Sequence, residues 1–175
     1  MRFRPAFLAA ILLGAFSNVL AVQNAAVPIH RVLMNVELGT GINDVKKTYP
    51  PIKPWPMTRE LNGRVVRIQL QRPDSKVFPI GVDRISLRVL GEQVIMVKAV
   101  FDAAQTRKES LADLVRQLAA QYGEPRRIGM TYGWQDDHTL LKAYDEPLPL
   151  PKSKGVELRT AVEIVDLDAY PSLQP

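Results

Sequence analysis

Hydrophobic and polar positions fall into short alternating runs, interrupted twice by helical spacing. Leu111, Leu114, Val115, Leu118, Ala119 and Tyr122 recur at i, i+3, i+4, i+7, i+8 and i+11, one apolar stripe down a helix. Thr106 followed by Glu109 reads as its capping box and Gly123 as its left-handed stop, with Pro125 blocking continuation. A shorter helix is predicted where Ile42, Val45 and Tyr49 keep the same spacing before Pro50 and Pro51 end it.

Period two predicts strands elsewhere. Val32, Met34, Val36 and Leu38 alternate with Arg31, Leu33, Asn35 and Glu37 up to Gly39, and Val66, Ile68 and Leu70 do so with Arg67, Gln69 and Gln71. Residues 82–90 and 93–101 flank Gly91-Glu92, where glycine suits the first position of a two-residue hairpin turn. An uninterrupted register pairs Val89 with Val94, Leu87 with Met96 and Ile85 with Lys98. That register gives a core face of Ile85, Leu87, Val89, Val94, Met96 and Val100. It leaves Arg84, Ser86, Arg88, Ile95, Val97, Ala99 and Phe101 on the opposite face. Residues 126–134 alternate with Ile128, Met130, Tyr132 and Trp134 together, and Asp136-Asp137 turns the chain into 139–144. A last strand over 156–167 carries Val156, Leu158, Val162 and Ile164 on one side. The proline-rich run 50–56 reads as a stiff connector with Trp55 tucked onto the body, and 146–151 as a second proline-rich loop.

This order predicts an α+β fold: a mainly antiparallel sheet with helices on one face, built as a degenerate tandem repeat of a helix and three strands. The first module spans 27–105 and the second 106–170, packed as one domain. Residues 1–21 read as a signal peptide. Arg2 and Arg4 form the basic start, 6–16 the apolar run, and Val19-Leu20-Ala21 the cleavage site, with 24–26 as an alternative. The apolar run is too short to span a bilayer comfortably, so no integral membrane segment is expected after processing. The expected location is the periplasm or the medium.

Composition narrows the chemistry. The chain holds no cysteine, which removes disulfides, thiol catalysis and thiolate metal sites together. Without Arg2 and Arg4, 21 basic residues face 18 acidic ones, spread along the chain, so nucleic acid is not an expected partner. His30 and His138 are the two histidines. Asp136, Asp137 and His138 are adjacent, but neighbours in a tight turn diverge, and aspartate belongs in such turns for backbone reasons. Trp134 and Tyr132 resemble a carbohydrate platform, yet they share a predicted face with Met130 and Ile128 and read better as core. No serine elbow and no phosphate-cradling loop is present. Glu157 and Glu163 flank an alternating strand and are read as solvated. No cofactor, metal site or catalytic residue is predicted.

The segments 35–40 before Val45 and Tyr49, and 118–125 leading to Trp134, resemble the helix-loop-strand modules of the β-lactamase inhibitor protein and of small outer-membrane assembly lipoproteins. The resemblance implies a tandem module that binds proteins on a concave sheet face. The lipid-anchor cysteine of the assembly lipoproteins has no counterpart here. The functional expectation is an exported, non-enzymatic envelope protein: an inhibitor, immunity protein or assembly factor that binds an envelope partner. Arg84, Arg88, Ile95, Val97 and Phe101 of the mixed hairpin face are its expected binding residues. The alternative is a small-ligand or cell-wall carbohydrate binding or hydrolysing protein built around Trp134, Asp136 and His138.

Overall fold

The computed structural model describes residues 27–150 and 155–169; the signal-peptide reading and the tail beyond 169 lie outside them. The chain runs β1 (Val32–Leu33), β2 (Val36–Glu37), α1 (Ile42–Thr48), β3 (Met57–Glu60), β4 (Val65–Gln71), β5 (Val82–Leu90) and β6 (Gln93–Phe101). It continues through α2 (Ala103–Lys108), α3 (Leu111–Tyr122), β7 (Arg126–Ile128), β8 (Thr131–Gln135), β9 (Thr139–Pro149) and β10 (Val156–Asp166). Strands β3 to β10 form one antiparallel sheet of eight strands in the order β3-β4-β5-β6-β10-β9-β8-β7. The fold is therefore α+β. Each helical stretch precedes four sheet strands rather than the three expected.

The main core lies between the helices and one sheet face. Ile68, Leu70, Ile85, Leu87, Val97, Leu141, Ala143, Val162 and Ile164 supply the sheet side, with Val45 from α1 and Tyr49 at its C-cap. The stripe of α3 packs against this cluster, but every member of it is only half-buried. Ser110 caps α3: its hydroxyl accepts from the Asp113 N–H at 3.2 Å, and the Asp113 carboxylate accepts from the Ser110 N–H at 3.3 Å. The expected Thr106–Glu109 box is absent. Thr106 sits inside α2, and its hydroxyl accepts from the Thr160 N–H of β10 at 3.3 Å.

Three alternating runs fold differently from their pattern. The 31–38 run is a tight hairpin, with Met34 and Asn35 at φ +50° and +58°. The 126–134 run also turns back on itself. Gly129 takes φ +61°, open to glycine at no steric cost, so β7 ends at Ile128 and β8 starts at Thr131. Ile128 and Met130 consequently point to solvent, 80% and 78% exposed, while Trp134 is buried. In β10, Val162 and Ile164 are buried but Val156 and Leu158 are exposed.

The central hairpin has the predicted ends, and Gly91 takes φ +62° at its turn. Its register differs from the uninterrupted one. Val89 faces Val94, but a bulge follows, so Leu87 faces Val97 and Ile85 faces Ala99. One extra residue exchanges the two faces of β6 beyond that point. Val97 and Ala99 lie on the helix side, whereas Met96, Lys98 and Val100 share the opposite side with Arg84, Ser86 and Arg88.

Candidate functional site

The sheet face away from the helices is built by alternation across six strands. Glu60 and Arg67, then Arg84 and Arg88, then Met96, Lys98 and Val100 come from the first half. Arg159, Ala161, Glu163 and Val165 of β10, and Lys142, Tyr144 and Glu146 of β9, complete it. Its floor is apolar: Met96, Val100, Ala161 and Val165 are all buried, yet they stand outside the main core. Among the described residues no helix packs against them. Long charged side chains flank this floor, with Arg84, Lys98 and Arg159 themselves only 18%, 21% and 15% exposed.

Carboxylates hold those arms in place. Glu60 pairs with Arg67 at 3.3 Å and Arg88 at 3.1 Å. Glu146 pairs with Lys98 at 2.8 Å and Arg84 at 3.4 Å. Glu163 takes Lys142 at 2.9 Å and accepts from the Tyr144 hydroxyl at 3.2 Å, and Glu157 takes Arg159 at 2.7 Å. Burial, with the neighbouring Glu163 and Glu146 charges, drives the Tyr144 pKa well above that of an ordinary phenol. Individually such pairs are worth little at a surface, but side chains clamped on a shared apolar floor act as a layer.

Six cations share four carboxylates in this lattice: Arg67, Arg84, Arg88, Lys98, Lys142 and Arg159 against Glu60, Glu146, Glu157 and Glu163. Arg126, on the same face at the β7 edge, is exposed and makes no ion pair among the described residues. The face is therefore net positive.

The five expected binding residues divide. Arg84 and Arg88 lie on the uncovered face, as read from the alternation. Arg84 is largely committed to Glu146, with 18% of its side chain exposed, against 38% for Arg88. Val97 is fully buried on the helix side, and Phe101 packs against the main core. Ile95 is buried at the bulge, with no residue opposite it in β5. The bulge removes all three apolar residues from the expected surface. The carboxylate clamps were missed because Glu60 meets Arg88, and Glu146 meets Arg84 and Lys98, only across strands distant in sequence. The period-two runs Lys142-Tyr144-Glu146 and Glu157-Arg159 were the available signal.

The second candidate region, around Trp134, is a cavity of about 290 Å³ lined by Tyr122, Trp134, Asp136 and Asp137 among others, without His138. Trp134 is buried and donates its indole N–H to the Gly123 carbonyl at 2.8 Å, so its ring is no open platform. The Asp136 carboxylate accepts from the backbone N–H groups of Ile29 at 2.6 Å, His138 at 2.9 Å and Thr139 at 2.6 Å. Burial opposes its ionisation, but these donors outweigh it and hold the carboxyl below the usual range. His138 turns outward to Asp168 at 3.0 Å. Among the described residues no three metal-ligating side chains gather, and no helix is long and apolar enough to cross a membrane. No protein-family model, curated protein or solved structure matches the chain.

Proposed function

We propose that the chain is an exported, non-enzymatic envelope protein that binds an acidic surface of a protein partner on the uncovered sheet face. The observation that carries this is a broad, net-positive face with no helix over it among the described residues, whose charged arms are held in fixed positions by their own carboxylates. A preorganised array meets a partner at lower entropic cost than free side chains do, and excess positive charge speeds encounter with an acidic one. Arg88, Arg67 and Arg126 are its most accessible cations and carry the recognition, while Arg84 is largely committed to Glu146. The pattern of residues 1–26 supports export to the periplasm. The four-plus-four strand order, each set preceded by helix, supports the tandem-module reading. The Asp136 turn, with its oxygens engaged by backbone, supports a structural rather than a catalytic role there.

The test is capture from an envelope fraction by the processed chain, with Arg88→Ala/Arg126→Ala compared against Lys108→Ala/Arg116→Ala on the helix side. Arg126, Lys108 and Arg116 are exposed and Arg88 is half-buried in its pair with Glu60, so the helix-side pair should change stability by no more than about half a kcal/mol and the first pair by no more than about 1 kcal/mol. The first pair should abolish capture of a partner that the second retains, and the deficit should be larger at low salt. Loss with the helix-side pair alone places binding on the wrong layer and refutes the reading.

A further inference from the structure

Where α1, the proline-rich connector and β4 meet, the surface opens into a groove of about 520 Å³, apart from the uncovered face. Ile42 and Lys46 of α1, residues 51–55, Met57 and Ile68 line it. Its shape is fixed by the connector's bonds to the β4–β5 loop: the Ile52 N–H donates to the Asp74 carbonyl at 3.1 Å, and the Lys76 N–H to the Pro50 carbonyl at 2.9 Å. The volume is that of a small-molecule site. Ile52 and Met57 remain 60% and 67% exposed at its rim.

The charged residues of the lining give the groove a chemical preference. Both charged residues of the lining are lysines, with no carboxylate among them. Lys46 makes no ion pair among the described residues, and Lys53, though 3.1 Å from Asp74, keeps 58% of its side chain exposed.

We propose that this groove binds a small anionic amphiphile: an unbranched apolar chain ending in one carboxylate, of the medium-chain fatty-acid class. The apolar body covers Ile42, Ile52, Met57 and Ile68, and the carboxylate takes the Lys46 ammonium. A neutral chain supplies no charge for the lysine, and a cationic one is repelled by both lysines.

The experiment titrates the unmodified chain with carboxyl-13C decanoate below its micellar concentration, following the carboxyl resonance. Decanol and decyltrimethylammonium are run as competitors. Saturable binding of decanoate is expected, with both competitors weaker by about tenfold, the scale of one charge-assisted hydrogen bond. Lys46→Glu, an exposed substitution, should weaken decanoate by roughly three- to tenfold. Met57→Glu should block the apolar rim without unfolding the protein. In a Trp134→Phe background the emission of Trp55 should shift in step with the carboxyl signal. Absence of saturation, equal competition by decyltrimethylammonium, or unchanged affinity in Lys46→Glu each overturns the proposal. Arg88→Ala/Arg126→Ala should leave decanoate binding intact, which separates this groove from the protein-docking face.

Discussion

Alkaline titration of Tyr49 offers a sharp test of how the connector region is anchored. Its ring is 2% exposed and tilted against Phe78, and its hydroxyl donates to the Met34 carbonyl in the β1–β2 hairpin. Burial pushes its pKa from 10.0 up to about 12. The unfolded chain therefore releases the phenolic proton near pH 10 while the folded chain retains it, so stability falls as pH rises between the two values. The contribution is fully present below pH 10. With those values about 1.4 kcal/mol is lost by pH 11, one pKa unit's worth. Tyr49→Phe cannot ionise, so it lacks this loss. At pH 7 it is less stable than the parent by about 0.5–1.5 kcal/mol, the net worth of the hydroxyl's bond. Urea unfolding of both proteins at pH 7, 9 and 11 isolates the effect, because lysine titration is common to the two. The gap between parent and variant should close, or reverse, by pH 11. An unchanged gap from pH 7 to 11 would refute the argument and show that the phenol is solvated in the folded state.

Other substitutions follow from the same geometry. Leu87→Ala, at a fully buried site, should cost about 2–5 kcal/mol by urea unfolding. Leu118→Ala on the half-buried α3 stripe should cost about 1–2.5 kcal/mol, and equal losses would contradict the difference in burial. Glu146→Gln leaves Arg84 and Lys98 without their carboxylate and should cost about 1–3 kcal/mol. A thermal shift of less than a degree would show that Glu146 clamps nothing. Asp136→Ala removes the acceptor for three backbone donors and should cost about 1–3 kcal/mol at pH 7. Its lowered pKa means that this stability is present above pH 4 and is lost as pH falls through the folded value, so parent and variant should converge in acid. Parallel acid-unfolding curves would remove Asp136 from the account.

The sequence made the elements more legible than their registers. The α3 stripe and its Gly123 stop were readable because helical spacing is local, and the hairpin ends were readable because Gly91 marks its turn. The α3 cap was misplaced by four residues. Thr106–Glu109 and Ser110–Asp113 offer the same reciprocal chemistry, and the break after α2 selects the second. The bulge at Ile95 leaves no mark in a run where every neighbour is apolar, and a one-residue slip inverts a whole face. Gly129 was hidden inside a perfect alternation for the same reason: period two continues through a two-residue turn. Short β3 lacks alternation altogether, so its Glu60, and with it the clamp on Arg67 and Arg88, was invisible. The uncovered face depends on strand order, which places Glu146 beside Lys98 across 48 residues of chain.

The pairing of β6 with β10 carries a consequence for how the protein comes to exist. Those two strands are the central neighbours of the sheet, and one of them is the last strand made among the described residues. Until it emerges from synthesis, β6 offers an open edge of Val94-Ile95-Met96-Val97, followed by one lysine and then Ala99-Val100-Phe101. Such an edge recruits strands from other chains. The interval between completing β6 and completing β10 is therefore the hazardous part of this molecule's life. A chain cut short anywhere in α3 to β9 should aggregate rather than fold, and a holdase bound to β6 during that interval should raise the yield of the full-length protein more than any stabilisation of the finished sheet.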